Sequence, residues 1–214
     1  MKLRLSIAAL LLCSFLLPGQ ESILVLARHG THQEVTRALE EGASISDRDV
    51  FGWTPLMLAA KWNRDTAVHR AFLDRGADIN ARSRDGWTPL LAAARWNKNS
   101  QVLRLLVDAG ADLSARSEEG WTPLHWAAVN GNPKHIETLL EVGAQVDVED
   151  NNGWTPLMLA SLNPNAGPVD RLLAAVPEVP RDVKRLQQAV DAAVFGIFES
   201  DVGDQRLHGL PADD

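Results

Sequence analysis

Seven tryptophans and six histidines are the residues of this 214-residue sequence whose types point to binding or metal chemistry. There is no tyrosine, so the large aromatic residues are mainly tryptophan. Trp62 lies among Lys61, Asn63 and Arg64, and Trp96 lies among Arg95, Asn97 and Lys98. Because tryptophan and arginine dominate protein interfaces, these two segments are interpreted as an interface hot spot. A cation–π contact with a neighbouring loop is an equally weighted alternative.

The histidines give little support to catalysis or metal binding. Only His29 and His32 have the spacing of ligands on one helical face, and Gly30 interrupts that helix. The sequence contains no glycine-rich phosphate loop, no zinc signature and no serine elbow. We therefore expect no catalytic residue, no metal site and no cofactor.

Composition and charge exclude other classes of function. A hydrophobic content of 45% with 23% charged residues is ordinary for a globular chain, which argues against wholesale disorder. The formal charge is −7, and no block of lysine and arginine interrupts the acidic excess. Because phosphate contacts need clustered basic residues, we expect no nucleic-acid partner.

The first residues have the pattern of a secretory signal peptide at 1–19. Lys2 and Arg4 precede the apolar stretch Leu5–Leu17, which is too short to cross a bilayer as a helix. We expect cleavage near Gly19 and a periplasmic or secreted location, with membrane contact only if the signal stays uncleaved. Cys13 is the only cysteine, so the mature chain would contain none and its net charge would be −9.

A repeated segment dominates the rest of the sequence. The pentapeptide GWTPL occurs four times, and a Gly-Ala pair recurs in step with it. The pentapeptides begin at Gly52, Gly86, Gly120 and Gly153, and the pairs begin at Gly42, Gly76, Gly110 and Gly143. Both landmarks give spacings of 34, 34 and 33 residues, so they keep one register over most of the chain.

The repeat resembles the ankyrin family, whose unit of about 33 residues carries a T-P-L-H-x-A signature. The closest segment is TPLHWAAVNGNPKHIETLLEVGA, from Thr122 to Ala144. The resemblance implies an all-α solenoid of about five helix-turn-helix repeats, with short β-hairpin tips and a C-terminal capping helix. It also implies that the chain binds another protein.

The residues of the repeat predict the same elements on physical grounds. Each of its threonines is a good N-cap and precedes a proline at the first helical position, while the recurring glycine ends the second helix. The predicted domains are an N-terminal capping repeat at 20–50, four further repeats at 51–178, a capping helix at 179–200 and a disordered acidic tail at 201–214. Two further residues, His69 and Trp126, are predicted to lie in the core.

Several repeated residues are candidates for the contact face. They are the four tryptophans before threonine, Trp53, Trp87, Trp121 and Trp154, together with Trp62, Trp96 and the tip residues Arg82, Arg84 and Arg116. The four recurring tryptophans are identical in each full repeat, which favours a structural ladder over binding. The sequence thus predicts an exported, non-enzymatic scaffold for a protein partner. The alternative is glycan or cell-wall binding through exposed tryptophans.

Overall fold

The structure is a computed structural model that describes residues 21–163 and 166–175. The predicted signal peptide at 1–19, the capping helix at 179–200 and the acidic tail at 201–214 lie outside the described residues. Those three predictions therefore stay predictions.

The described residues form ten helices arranged as five successive pairs. The pairs are α1 (Ile23–His29) with α2 (His32–Glu40), α3 (Pro55–Trp62) with α4 (Thr66–Leu73), α5 (Pro89–Trp96) with α6 (Ser100–Asp108), α7 (Pro123–Asn130) with α8 (Pro133–Glu141), and α9 (Pro156–Ser161) with α10 (Ala166–Ala175). The first helices of neighbouring pairs pack on one another, and so do the second helices. The predicted all-α solenoid is confirmed.

The helices begin and end where the sequence predicts. The hydroxyl groups of Thr54, Thr88 and Thr155 accept hydrogen bonds from amides three residues ahead, at 3.3 Å. At the end of the second helices, Gly76 and Gly110 have φ values of +82° and +88°. A β-carbon at either position would meet nothing within 4 Å, so the positive φ itself is what requires glycine there.

The core runs through all five pairs as one apolar cluster. The alanine pairs of the first helices are completely buried, which lets neighbouring helices approach closely. His69 and Trp126 are also buried, as predicted, with 0% and 2% of their surfaces exposed. Each pair therefore depends on its neighbours to cover its apolar face.

The tips that we predict as short β-hairpins are turns. In the third repeat, the amide of Ser83 donates to the carbonyl of Trp87 at 2.9 Å, and equivalent bonds close the other turns. No strand occurs among the described residues. One such hydrogen bond closes each turn, and the flanking residues are too few to pair as two β-strands. No helix within the described ranges is long and apolar enough to span a membrane.

Candidate functional site

Five tryptophans of the first-helix layer form a continuous group, which we call the indole cluster: Trp53, Trp87, Trp96, Trp121 and Trp126. The ring centroids of Trp87 and Trp96 are 4.5 Å apart, and those of Trp87 and Trp126 are 5.0 Å apart. Trp53 lies 5.9 Å from Trp96, and Trp121 lies 4.3 Å from Trp126. Such tilted aromatic contacts are favourable beyond their buried area, so the cluster braces three consecutive repeats.

Burial separates the tryptophans of this cluster from a binding surface. Trp53 has only 7% of its surface exposed, and Trp87, Trp96 and Trp121 are half-buried. These positions agree better with the structural ladder than with a contact face. Trp154 is half-buried, and its ring contacts no aromatic ring among the described residues. It therefore does not belong to the indole cluster.

Two cations lie between the rings of neighbouring repeats. The Lys61 ammonium is 4.2 Å from the ring centroid of Trp96 and 4.9 Å from that of Trp62. The Arg95 guanidinium is 4.7 Å from Trp96 and 4.1 Å from Trp126. Both cations lie within the range of cation–π attraction, and both occupy the last turn of a helix, where the helix dipole favours positive charge. The cation–π alternative thus describes Lys61 and Arg95.

Trp62 is different from the other tryptophans. It has 52% of its surface exposed, and none of the other six tryptophans, all of which lie in the described ranges, is classed as exposed. The loop that follows Trp62 is held in place by Asn63, whose side-chain nitrogen donates to the Gly30 carbonyl at 2.9 Å. The side-chain oxygen of Asn63 accepts from the Asp65 amide at 2.9 Å. Trp62 therefore projects from a backbone that is already fixed.

The loop after Trp96 is tied to the loop after Trp62. The side-chain nitrogen of Asn97 donates to the Ala60 and Asn63 carbonyls at 2.9 and 2.8 Å. Asn99 donates to the Arg64 carbonyl at 2.7 Å. The two loops consequently form one rigid unit across the repeat boundary.

The later repeats lack this arrangement. Asn130 occupies the position of Trp62 and Trp96 in the fourth repeat, and its side chain donates to the Arg95 carbonyl at 2.7 Å. Asn163 occupies the same position in the fifth repeat and donates to the Val129 carbonyl at 3.1 Å. An exposed tryptophan at this position is thus a local feature and not a requirement of the repeat.

The two tied loops also carry an extra residue each, Arg64 and Lys98, which the fourth repeat lacks. Both are exposed, and neither side chain has a hydrogen-bonding or ion-pair partner in the described part of the chain. We define the basic–aromatic patch as Lys61, Trp62, Arg64, Arg95, Trp96 and Lys98. Asp65 is the one acidic residue within segments 61–65 and 95–99, and its carboxylate accepts from the Ala67 amide at 2.9 Å.

Two of the tip arginines bind the protein's own backbone. The Arg82 guanidinium donates to the Arg116 carbonyl at 2.6 Å, and Arg116 donates to the Gly120 and Glu149 carbonyls at 3.1 and 2.9 Å. Arg48, which the sequence did not single out, donates in the same way to the Arg82 carbonyl at 2.8 Å. These arginines join the turns of consecutive repeats, which gives Arg82 and Arg116 a structural role. Their predicted role in partner contact stays a prediction.

Arg84 remains available at the tips. Its backbone amide donates to the Phe51 carbonyl at 3.0 Å, while its side chain is exposed. Beside it, Val50 and Phe51 have 72% and 42% of their surfaces exposed. Neither residue stands out in the sequence, because both interrupt a polar turn without belonging to the repeated motif.

The described histidines do not cluster as metal ligands. His29 ends α1, whereas the Nδ1 atom of His32 faces the Ala67 carbonyl at 3.1 Å. Nowhere in the described ranges do three histidine, cysteine, aspartate or glutamate side chains come together as a cation site.

Three other histidines are buried in the helix layers. Desolvation lowers the pKa of His69 and of His125, and it lowers the pKa of His135 to about 4. In the case of His69, the Asp65 carbonyl, 2.9 Å from Nδ1, opposes part of that change. These groups are neutral core residues near neutral pH, and their chemistry affects stability more than binding.

Comparison with known proteins agrees with this architecture. The family model described as ankyrin repeats (3 copies) matches residues 13–117 and 97–179. No curated protein matches the chain. The matched residues span most of the sequence and include all five helix pairs, so the chain belongs to the ankyrin-repeat family.

Proposed function

We propose that this chain is an exported, non-enzymatic scaffold that binds another protein through the basic–aromatic patch. Ankyrin repeats generally mediate protein–protein interaction, which supports the class of function. The location of the binding site is supported by Trp62, a large aromatic side chain at the end of α3 with half of its surface exposed, directly before a rigid loop.

A rigid exposed tryptophan is favourable for binding because little conformational entropy is lost when a partner covers it. The Asn63 and Asn97 hydrogen bonds fix the loop backbone before any partner arrives. The Lys61 ammonium lies 4.9 Å from the Trp62 ring centroid, within the range of cation–π attraction. Trp62 therefore has the properties of an interface hot spot, surrounded by polar residues that form a rim.

The other parts of the proposal rest on the sequence. Export is supported by Lys2 and Arg4 followed by the short apolar stretch Leu5–Leu17. N-terminal sequencing of the protein recovered from a cell fractionation tests it. The expected result is a new terminus near Gly19 in the periplasmic or secreted fraction, and an intact Met1 terminus in the cytoplasmic fraction would contradict it.

The binding proposal is tested with Trp62→Ala and a control variant, Val25→Ala. Val25 has 44% of its surface exposed, so the control also removes an exposed apolar side chain, but from the first repeat. Crosslinking affinity capture from an envelope or secreted extract identifies a partner, and titration with that purified partner then gives Kd. We expect Trp62→Ala to raise Kd at least about tenfold and Val25→Ala to leave it unchanged.

The structure makes Trp62→Ala a cleaner test than a double variant with Trp96, because Trp96 belongs to the indole cluster and its loss would disturb packing. Equal Kd values for the parent and Trp62→Ala would refute the patch as the binding site. Glycan binding makes a different prediction. Soluble saccharides or wall material would then quench and shift tryptophan emission in the parent protein, and the protein-scaffold proposal expects no such change.

A further inference from the structure

We propose that the basic–aromatic patch recognises an acidic segment of the partner protein, with carboxylates at Arg64 and Lys98 and an apolar side chain on Trp62. This inference rests on the proposed function and adds the chemistry of the partner. It is carried by the juxtaposition of four cations and one exposed indole at the ends of α3 and α5 and on the two tied loops that follow them.

The local charge of the patch is opposite to that of the chain. The whole sequence has a formal charge of −7, whereas segments 61–65 and 95–99 contain four cations and the single acid Asp65. That acid is already engaged with the Ala67 amide at 2.9 Å. Most acidic partners of the observed ion pairs, such as Glu40, Glu137 and Glu141, lie on the second helices, whereas Asp49 lies in a tip turn. A negatively charged segment would thus be attracted to this patch and repelled by much of the remaining surface.

The geometry assigns different parts to the cations. Lys61 and Arg95 lie over indole rings, where they hold the aromatic groups in place and contribute positive potential. Arg64 and Lys98 occupy equivalent positions in adjacent loops, and the hydrogen bond from Asn99 to the Arg64 carbonyl fixes one loop against the other. Two exposed cations on neighbouring loops whose backbones are tied together suit two carboxylates on one extended segment.

An acidic protein segment fits this patch better than a nucleic acid does. Phosphate backbones are bound through long basic tracks, because affinity comes from neutralising many phosphates at once. The patch covers only two repeats, and in the fourth repeat Val129 and Asn130 replace the basic and aromatic residues. A short segment with few carboxylates and an apolar residue matches both its size and its chemistry.

The test measures fluorescence anisotropy with three labelled probes. They are a glutamate-rich peptide with one central phenylalanine, the same peptide with glutamine in place of glutamate, and an oligothymidylate. The purified parent protein is compared with the double variant Arg64→Gln, Lys98→Gln. The control is Arg37→Gln, Arg70→Gln, which removes the same charge from exposed positions of α2 and α4.

We expect the glutamate peptide to bind the parent, with affinity that falls as NaCl rises. The Arg64→Gln, Lys98→Gln variant should bind it at least about tenfold more weakly, and the control should bind it like the parent. Equal binding of the glutamate and glutamine peptides, unchanged binding by the loop variant, or equal or tighter binding of the oligothymidylate would each overturn the inference.

Failure of this inference is distinguishable from failure of the proposed function. If the glutamate peptide does not bind while a captured protein still depends on Trp62, the patch binds a partner of other chemistry and only the acidic-segment inference falls. If neither the peptide nor a captured protein depends on the patch, both proposals fall.

Discussion

The ammonium nitrogen of Lys61 lies 4.2 Å from the ring centroid of Trp96, which belongs to the next repeat. Arg95 repeats this relationship one unit later, with its guanidinium 4.1 Å from the ring of Trp126. Each cation therefore joins its own repeat to the one that follows. Because a repeat protein is stabilised mainly by contacts between neighbours, both cations support the array, and Lys61 also contacts the exposed Trp62.

Replacing Lys61 tests the energetic role of this contact. Lys61→Gln removes the charge over three indole rings, so we expect the free energy of unfolding to fall by about 1–2 kcal/mol in urea titrations. Arg64→Gln is the matched control, since its side chain has no partner in the described part of the chain, and we expect almost no change. If the two variants lose equal stability, the cation–π contact is not what Lys61 contributes.

Trp126 and Trp62 should differ sharply in their contribution to stability. Trp126 has 2% of its surface exposed and contacts Trp87 and Trp121, so Trp126→Ala leaves a cavity and should cost about 3–5 kcal/mol. Trp62→Ala removes a side chain with 52% exposure and should cost less than about 1 kcal/mol. Chemical denaturation of both variants checks this ranking, and a reversed order would show that the burial pattern is misassigned.

The tip arginines Arg82 and Arg84 should differ in their contribution to the free energy of unfolding. Arg82→Gln removes the donor to the Arg116 carbonyl, at 2.6 Å, and should lower the free energy of unfolding by about 1 kcal/mol. Arg84→Gln removes a neighbouring exposed guanidinium and should leave stability nearly unchanged. Thermal unfolding of the two single variants measures the difference. Equal midpoints would mean that the contact between the turns contributes nothing.

Because its buried histidines are neutral in the folded state, we expect the free energy of unfolding of the protein to fall in acid. His135 has a folded-state pKa of about 4, below the value of about 6.5 in an unfolded chain, so the unfolded state takes up its proton first. The contribution of neutral His135 to the free energy of unfolding is therefore fully present above about pH 6.5, and it is lost as the pH falls from there towards about 4. Below that range both states carry the proton, and this group causes no further loss.

His135→Val tests this explanation, because Val68 and Val102 occupy the equivalent positions in the second and third repeats. The variant should retain up to about 3 kcal/mol of the stability that the parent loses between pH 6.5 and 4. Urea titrations across this range measure it. His69 and His125, whose pKa values are also lowered by burial, should cause a loss of the same sign that remains in the variant. Identical pH profiles for the parent and the variant would rule out His135 as a source of acid sensitivity.

The sequence predicts the helix starts and ends and the buried positions, because the local capping residues and the packing between repeats favour the same structure. Thr54 and Thr88 cap helices where a threonine precedes proline, and Gly76 and Gly110 end helices where only a left-handed residue fits. The burial of His69 also follows from the repeat, because that position is apolar in the other repeats. These features depend on neighbours in sequence or on the repeat register, and both can be read directly from the residues.

The candidate site was less predictable from the sequence. Whether its tryptophans are buried or exposed depends on the residues of the preceding repeat that lie against them. Trp62 and Trp96 occur in nearly identical segments, yet Trp96 lies against Trp53 and Lys61 of the preceding repeat. The repeat before Trp62 offers no such contacts, since Arg28, at the position equivalent to Lys61, pairs with Asp49 at 3.6 Å. Likewise, a turn motif does not reveal whether an arginine such as Arg82 bends back to a carbonyl.

The most direct measurement of the central claim is photo-crosslinking from defined positions. A benzophenone amino acid placed at position 62 is compared with the same probe at position 25, in the parent protein mixed with the captured partner. Both native side chains are exposed, so both probes are accessible to solvent. We expect a crosslinked adduct from position 62 and none from position 25. An adduct from position 25 alone, with none from position 62, would contradict it.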